Sequence, residues 1–191
     1  MINYPSPPHI VFGEVVDAVR TEMLATIQAY DPTVQTIRYE YCNMVELQKI
    51  VKDAQANLTE RKKIFPMIVY VLDVAIDRGT GNSPMYGQIP NATILILNHT
   101  KHTYSSKERE QKNFTPILRP LYYTVLKQMA RHAGFNVQSE RKIPHRVIDH
   151  FFWGQDANTV NAIAAYVDAI EITDLQLDLN WHYCNTPITV Y

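Results

Sequence analysis

Apolar side chains recur at three- and four-residue steps along two stretches near the N-terminus, which places them on one face of a helix. The first stripe predicts a helix that ends at Asp31-Pro32; its members are Phe12, Val15, Val16, Val19, Met23 and Ile27. The second predicts a helix capped by Asn43, with a stripe of Met44, Leu47, Ile50, Val51, Ala54 and Leu58. Between these two helices, apolar and polar side chains alternate along residues 34–41, which predicts a strand.

Two nearly continuous apolar runs, residues 64–72 and 92–97, predict central strands that are buried on both faces. Pro66 should lie near the start of the first strand, where no ladder donor is needed. We expect the two strands to pair as a wide hairpin. Residues 77–90 hold three of the six glycines and predict one long, mobile loop between them.

A third predicted helix carries two prolines. Ser105 and Glu108 fit a capping box at its start. Its apolar stripe should pack on the sheet and consists of Phe114, Ile117, Leu118, Leu121, Val125 and Met129. Pro116 and Pro120 each remove a backbone hydrogen bond and should kink this helix. The charged run 107–112 alternates in sign and predicts a solvated first turn.

The last predicted strand, residues 170–182, changes its alternation part-way along. Its apolar residues shift from even to odd numbers around Thr173-Asp174: they are Ile170 and Ile172, then Leu175, Leu177, Leu179 and Trp181. Such a one-residue slip requires a β-bulge or a corner. The intervening polar side chains then form a row that faces water: Glu171, Gln176, Asp178 and Asn180.

These elements predict a single α+β domain over residues 1–191. A small mixed or antiparallel sheet should pack against the long proline-kinked helix and the N-terminal helix. Residues 1–8 contain three prolines and predict an extended N-terminal arm. Residues 135–169 show little pattern, apart from a short amphipathic piece at 147–154.

Composition narrows the range of functions. The 191 residues include 19 acidic and 18 basic side chains, and a net charge of -1 does not favour a nucleic-acid or membrane-surface binder. Neither a signal peptide nor an apolar run long enough to span a bilayer is evident, so we expect synthesis in the cytoplasm. Cys42 and Cys184 are expected to be free thiols. The 12 tyrosines favour protein interfaces.

Few residues suggest catalysis. The chain has no phosphate-binding glycine loop and no GxSxG motif. His145 and Asp149 would share a helical face beside His150, if that stretch were helical, but a zinc site would need further ligands. The late carboxylates could form an acid/base pair or a Mg²⁺ site, although they are more simply a solvated strand face: Asp168, Glu171, Asp174 and Asp178. We therefore expect no catalytic residue, metal or cofactor.

The order of these pieces resembles small structural proteins of tailed phages and prophages, particularly those of Bacteroidetes hosts. The resemblance spans about residues 60–182 and rests on short motifs: Ile64-Phe65-Pro66-Met67-Ile68, a glycine-containing loop, strand 92–97, Tyr104…Glu108-Arg109…Phe114-x-Pro116-Ile117-Leu118-x-Pro120-Leu121-Tyr122, and Asp168-Ala169-Ile170-Glu171-Ile172. The nearest class is the neck, whose tail-terminator or tail-completion proteins cap the tail tube and join it to the head.

The resemblance implies an α+β structural protein of the virion that is not an enzyme. Such proteins form rings, usually hexamers, that contact other neck and tail proteins, and DNA passes through them non-specifically; no membrane is involved. The expected interface or lumen residues are Tyr4, Pro5, Pro7, Pro8, Tyr86, Glu171 and Asp178. Three alternatives stay open: another connector ring between portal and tail, a metal-dependent hydrolase or nuclease, and a host-side module that binds peptides through its aromatic surface.

Overall fold

The structure, a computed structural model, describes residues 6–56, 61, 63–71, 88–101, 103–150 and 167–180. These residues form a five-stranded mixed sheet with helices on both faces, which confirms the predicted α+β class. The strands are β1 (Arg38–Cys42), β2 (Met67–Val71), β3 (Gln88–His99), β4 (Arg146–His150) and β5 (Val167–Asp178).

The spatial order of the strands is β1-β2-β3-β5-β4, so β1 and β4 form the two edges of the sheet. β1 and β2 run parallel, and helix α2 (Met44–Ala56) connects them along the chain. All other neighbouring pairs are antiparallel, including the predicted pairing of β2 with β3. The sheet therefore combines one parallel pair, β1 with β2, with three antiparallel pairs.

The larger core lies on one face of the sheet, beneath helices α1 and α3. Helix α1 spans Pro8–Tyr30, and α3 runs through three successive stretches: Ser106–Arg109, Glu110–Leu118 and Arg119–Arg131. The predicted α3 stripe is buried here against sheet residues, and the cluster includes Phe114, Ile117, Leu118, Leu121, Val125, Ile68, Ile94 and Ile170. The stripe therefore packs on the sheet as predicted.

The two prolines of α3 widen the helix. Residues Glu110–Leu118 form a π-helix with Pro116 inside it, and the N–H of Arg119 donates to the carbonyl of Phe114, five residues back. Pro120 follows at the start of the last α-helical stretch. A wider turn moves the carbonyl groups away from a proline ring that would clash with them in an α-helix. The structure thus has a π-helical stretch at the position where a kink was predicted.

The smaller core lies on the opposite face, beneath α2. Its buried side chains come from α2, β2, β3 and β5, and include Leu47, Val51, Ala54, Met67, Val69, Leu95, Leu97 and Ala169. Ile68 and Tyr70 of β2 and Ile94 and Ile96 of β3 pack in the larger core instead, so both strands are buried on both faces, as predicted. Cys42 is a buried free thiol in this layer, and Cys184 lies outside the described residues.

The predicted phase change of β5 is confirmed. β3 pairs Ile94 with Ile172 but Ala92 with Leu175, so β5 contains one extra residue between these pairs. The extra residue is Asp174, whose backbone is left-handed with a φ of 53°. Leucines on both sides of this bulge can therefore reach the same core, and Leu175 and Leu177 are buried with Ile172.

Several predicted boundaries are wrong. β1 begins at Arg38 rather than residue 34, β2 at Met67 rather than residue 64, and β5 at Val167 rather than residue 170. The loop 77–90 ends earlier, because Gln88 and Pro90 belong to β3 and Ile89 is fully buried; residues 77–87 lie outside the described part of the chain. A second register shift, between Ile89 and Ala92, explains how Pro90 fits in a central strand. The amphipathic piece near residue 147 is the edge strand β4. Pro8, the last residue of the predicted arm, is also the first residue of α1, a position where its missing N–H costs nothing.

Across the described residues, the structure has no helix that is both long enough and apolar enough to cross a membrane.

Candidate functional site

A buried ion pair ties the start of α3 to the beginning of β5. Arg109 and Asp168 are 1% and 0% exposed, and the Arg109 guanidinium lies 2.6 Å from a carboxylate oxygen of Asp168. Arg109 also donates to the carbonyl oxygens of Tyr104 and Lys101, at 3.1 and 2.9 Å. The pair therefore joins α3, β5 and the turn after β3.

Two asparagines extend this buried network into the sheet. The Asn113 amide donates to the second carboxylate oxygen of Asp168 at 2.8 Å, and Asn98 of β3 donates to Asn113 at 2.7 Å. Both carboxylate oxygens of Asp168 and all three nitrogens of Arg109 thus have protein partners. A network satisfied in this way fixes how elements pack, so we assign it to the fold.

This network corrects two predictions. The run 107–112 is not a uniformly solvated turn, because Arg109 is buried, and Asp168 does not belong to a solvated acidic face. The overlooked signal is spacing: Arg109 and Asn113 precede Ile117 and Leu121 at four-residue steps, so they continue the buried stripe. Buried charges are almost always paired, which would have pointed to a distant carboxylate.

His145 and Asp149, two of the metal ligands considered in the sequence, have other partners. Residues 146–150 form a strand rather than a helix, and His145 contacts the Tyr122 hydroxyl and the Ile143 carbonyl, each at 2.7 Å. Asp149 accepts a hydrogen bond from Arg119 at 2.8 Å, and His150 is the last residue of the strand. Within the described ranges no cluster of three or more His, Cys, Asp or Glu residues could hold a metal ion.

His99, at the end of β3, is a packed histidine. Its ring lies 6.4 Å from the ring of Phe65. Burial lowers the pKa of His99 to about 4, and the positive charges of Arg61 and Lys101 act in the same direction. His99 is therefore neutral at physiological pH. His102, three residues further along the chain, lies outside the described residues.

The predicted polar row along β5 is only partly solvated. Gln176 and Asp178 are exposed, whereas Glu171 and Asn180 are half-buried. A cavity of about 460 Å³ opens beside the exposed end of the row, between β5 and residues 136–144. Its polar lining includes Asp178 and Lys142, and its apolar lining includes Leu177 and Ile143.

Residues 136–144 enclose this cavity because both ends of the segment are hydrogen-bonded to β5. The N–H of Asn136 donates to the carbonyl of Asp178 at 2.8 Å, and the N–H of Gln176 donates to the carbonyl of Pro144 at 3.0 Å. A short 3₁₀ turn, Glu140–Lys142, lies between these two attachments. The cavity is open and mostly polar, and it carries no arrangement of groups that indicates a reaction.

Aromatic side chains line the β1 edge of the sheet on the α1 side. The His9 ring stacks on Tyr41 at 4.3 Å between centroids, and the Tyr39 hydroxyl donates to the His9 carbonyl at 2.8 Å. Burial raises the pKa of the Tyr39 hydroxyl, so it stays protonated. Ile10 and Tyr41 remain exposed. We call His9, Ile10 and Tyr41 the β1 edge surface.

A second aromatic surface lies at the opposite edge, on the same side of the sheet. The rings of Tyr122 and Tyr123 are 4.9 Å apart, and Tyr122 also contacts the His145 ring at 5.8 Å. Tyr123 is exposed on α3, and Val147 is exposed on β4. Val147 pairs with Ile172, a residue of the larger core, so it faces the α3 side. We call Tyr122, Tyr123, His145 and Val147 the β4 edge surface.

The interface candidates from the sequence divide into three groups. Tyr4, Pro5 and Tyr86 lie outside the described residues. Pro7 is exposed at the N-cap of α1, and Pro8 begins that helix, so both lie next to His9 of the β1 edge surface. Glu171 and Asp178 lie on β5, where Glu171 pairs with Ile148 of β4. The edge surfaces themselves were not predicted, because β4 was not recognised as a strand.

Comparisons with protein-family models, with curated proteins and with solved structures find no match to this chain.

Proposed function

We propose that this chain is a structural protein of a phage neck, most specifically a tail terminator. It forms a ring that caps the tail tube and joins it to the head, and it acts without catalysis. The order of its elements resembles that family. The observation that carries the proposal is a sheet whose edge strands among the described residues, β1 and β4, differ and are each flanked by an aromatic surface.

Two different surfaces on one subunit suit a ring. When one surface of a subunit meets another surface of the next subunit, rotation either closes a ring or produces an open filament. Exposed strand edges readily pair with other chains, and tyrosine is enriched where proteins associate. A ring of about six copies is the number usual in the resembled family.

In this proposal the polar row of β5 lines the lumen of the ring. Gln176 and Asp178 are exposed, and Glu171 and Asp178 bring negative charge. Acidic side chains repel phosphate, so DNA can pass without being held. The other faces of the ring contact further neck and tail proteins. A connector ring between portal and tail would use the same features, and position in the virion separates these two roles.

Two measurements test the proposal: the mass of the oligomer and the location of the chain in the virion. Size-exclusion chromatography with light scattering of the purified chain should give a closed oligomer of about six copies, and electron microscopy should show a ring. Immunolabelling of particles that carry the chain should mark the junction of head and tail. A monomer at high concentration that is also monomeric in the particle contradicts the proposal, as does a label elsewhere on the virion.

A further inference from the structure

We infer that β4 of one copy pairs antiparallel with β1 of the next copy, so that the five-stranded sheets join edge to edge. This inference rests on the proposed function and identifies the contact that would build the ring. The partner is a second copy of this chain, and the contact involves the two edge surfaces together with the backbones of β1 and β4.

Strand direction makes the two edges compatible. β1 runs parallel to β2, and each later step across the sheet, from β2 to β3, β5 and β4, reverses direction. Three reversals leave β4 antiparallel to β1. If a second sheet continues the first with the same face up, its β1 therefore lies antiparallel to the exposed β4. Antiparallel pairs are slightly more stable per residue than parallel ones.

Among the residues that the structure describes, the β1 edge has backbone groups available for such pairing. The N–H of Arg38 donates to the Pro66 carbonyl at 2.9 Å, so Arg38 directs its backbone groups toward β2. Alternate residues of a strand direct these groups to opposite sides. Tyr39 and Tyr41 therefore direct their N–H and C=O groups away from the sheet, toward a neighbouring strand.

Side chains on the α1–α3 face match when the two five-residue strands overlap fully. This register places Tyr41 of one copy opposite Val147 of the next, and these side chains belong to residues that are 38% and 48% exposed. Cross-strand pairs of an aromatic and a β-branched side chain stabilise a sheet. The contact would cover apolar surface that each isolated subunit exposes to water.

Charges on the opposite face also match. In the same register Glu40 stands opposite Ile148 and diagonal to Arg146, within reach of a long side chain. The Arg146 side chain is 73% exposed and pairs with Asp174 at 3.5 Å, and Glu40 pairs with Arg38 on β1. Glu40 on one edge and Arg146 on the other have opposite charges and would attract each other across this contact.

A cysteine pair tests this register. Opposite residues in an antiparallel pair have Cα atoms about 4.5–5.5 Å apart, a distance that a disulfide spans. Under mild oxidation, Tyr41→Cys mixed with Val147→Cys should give disulfide-linked dimers that contain one copy of each variant. The double variant should give a ladder that ends at the ring. Each single variant alone, and the unmodified chain with Cys42 and Cys184, should stay unlinked.

A charge exchange gives a second measurement that introduces no new thiol. Glu40→Lys and Arg146→Glu should each weaken association, by about fivefold per interface, if the pair contributes about 1 kcal/mol. The chain that carries both substitutions should regain association, because every interface again joins opposite charges. Circular dichroism of each variant should match that of the unmodified chain.

The outcomes separate the inference from the proposed function. Mixed dimers and the charge rescue support the β4–β1 contact. A ring that assembles without the disulfide or the rescue overturns this contact and leaves the ring intact. Disulfides within Tyr41→Cys alone or Val147→Cys alone indicate two-fold pairing of like edges and overturn it as well. A chain that stays monomeric under all these conditions contradicts both the contact and the ring.

Discussion

The Arg109 guanidinium lies 2.6 Å from the Asp168 carboxylate, and both side chains are buried almost completely. Arg109 lies at the start of α3, whereas Asp168 lies in β5, 59 residues further along the chain. The pair thus fixes the orientation of α3 relative to the sheet. A buried ion pair of this kind is costly to disrupt one partner at a time, because the remaining charge stays out of water.

Asp168→Asn should destabilise the chain by about 3–5 kcal/mol, because it leaves the Arg109 charge buried without its partner. Urea denaturation monitored by circular dichroism measures the free energy of unfolding. Asp178→Asn is the matched control on the same strand, since Asp178 is exposed, and it should change stability by less than about 0.5 kcal/mol. Similar losses in the free energy of unfolding for the two variants would show that the buried pair does not hold α3 on the sheet.

Leu121→Ala should cost about 2–5 kcal/mol, because Leu121 is fully buried between α3 and the sheet. Val45→Ala on α2 is the control, since this side chain is 76% exposed. The same denaturation experiment measures both variants. A loss below about 0.5 kcal/mol for Leu121→Ala would contradict the packing of the α3 stripe on the sheet.

His99 should make the fold less stable in mild acid. Its pKa is about 4 in the folded chain, whereas an unfolded histidine has a pKa of about 6.5. As the pH falls from about 6.5 to 4, the unfolded state takes up a proton at His99 that the folded state does not bind. The folded state should therefore lose up to about 3 kcal/mol over this range.

The measurement is urea denaturation at several pH values for the unmodified chain and for His99→Gln. Glutamine does not titrate, so the difference in stability between the two chains should change steadily between pH 6.5 and 4 and remain constant above this range. Stability curves that run parallel over the whole range would contradict the assignment to His99.

Removal of residues 1–6 should leave the fold intact and weaken assembly. The truncated chain keeps Pro7, whose carbonyl accepts hydrogen bonds from the N–H groups of Ile10 and Val11 at the start of α1. It loses residues 1–6, which precede Pro7 in the chain. Thermal unfolding should be unchanged, while light scattering should show a lower oligomer fraction. A chain that no longer folds would contradict the role given to the arm.

Glu171→Lys combined with Asp178→Lys should slow DNA ejection if the polar row lines the lumen. The new positive charges would hold phosphate groups, most strongly at low salt, where screening is weakest. Ejection rates of assembled particles at several salt concentrations measure the effect. Normal rates at every salt concentration, with both substitutions present in the particles, would remove the row from the DNA path.

Periodic apolar patterns predicted much of this fold. The α1 and α3 stripes are buried, and the predicted capping box at Ser105 and N-cap at Asn43 are both formed. The shift of the apolar positions along β5 located its bulge within a residue or two, because period-two alternation leaves no other way to keep leucines in the core. These features depend on short stretches of sequence, which is why they could be predicted.

Features that depend on tertiary contacts were missed. β4 has exposed apolar residues at adjacent positions, Val147 and Ile148, so it lacks the alternation that identifies a strand. Pro90 argued against a strand, and only the pairing of β3 with β5 provides the bulge that accommodates it. Arg109 appeared to belong to a charged surface because its partner Asp168 is distant in sequence.

The left-handed residue in β5 also determines how this strand tolerates insertions and deletions. Asp174 acts as a spacer: without it, every later residue would turn to the other side of the sheet. Leu175 and Leu177 would then face solvent, and Gln176 and Asp178 would enter the core. Asp174→Gly suits the left-handed backbone and should be accepted readily. The number of residues at this point is thus constrained more tightly than their identity.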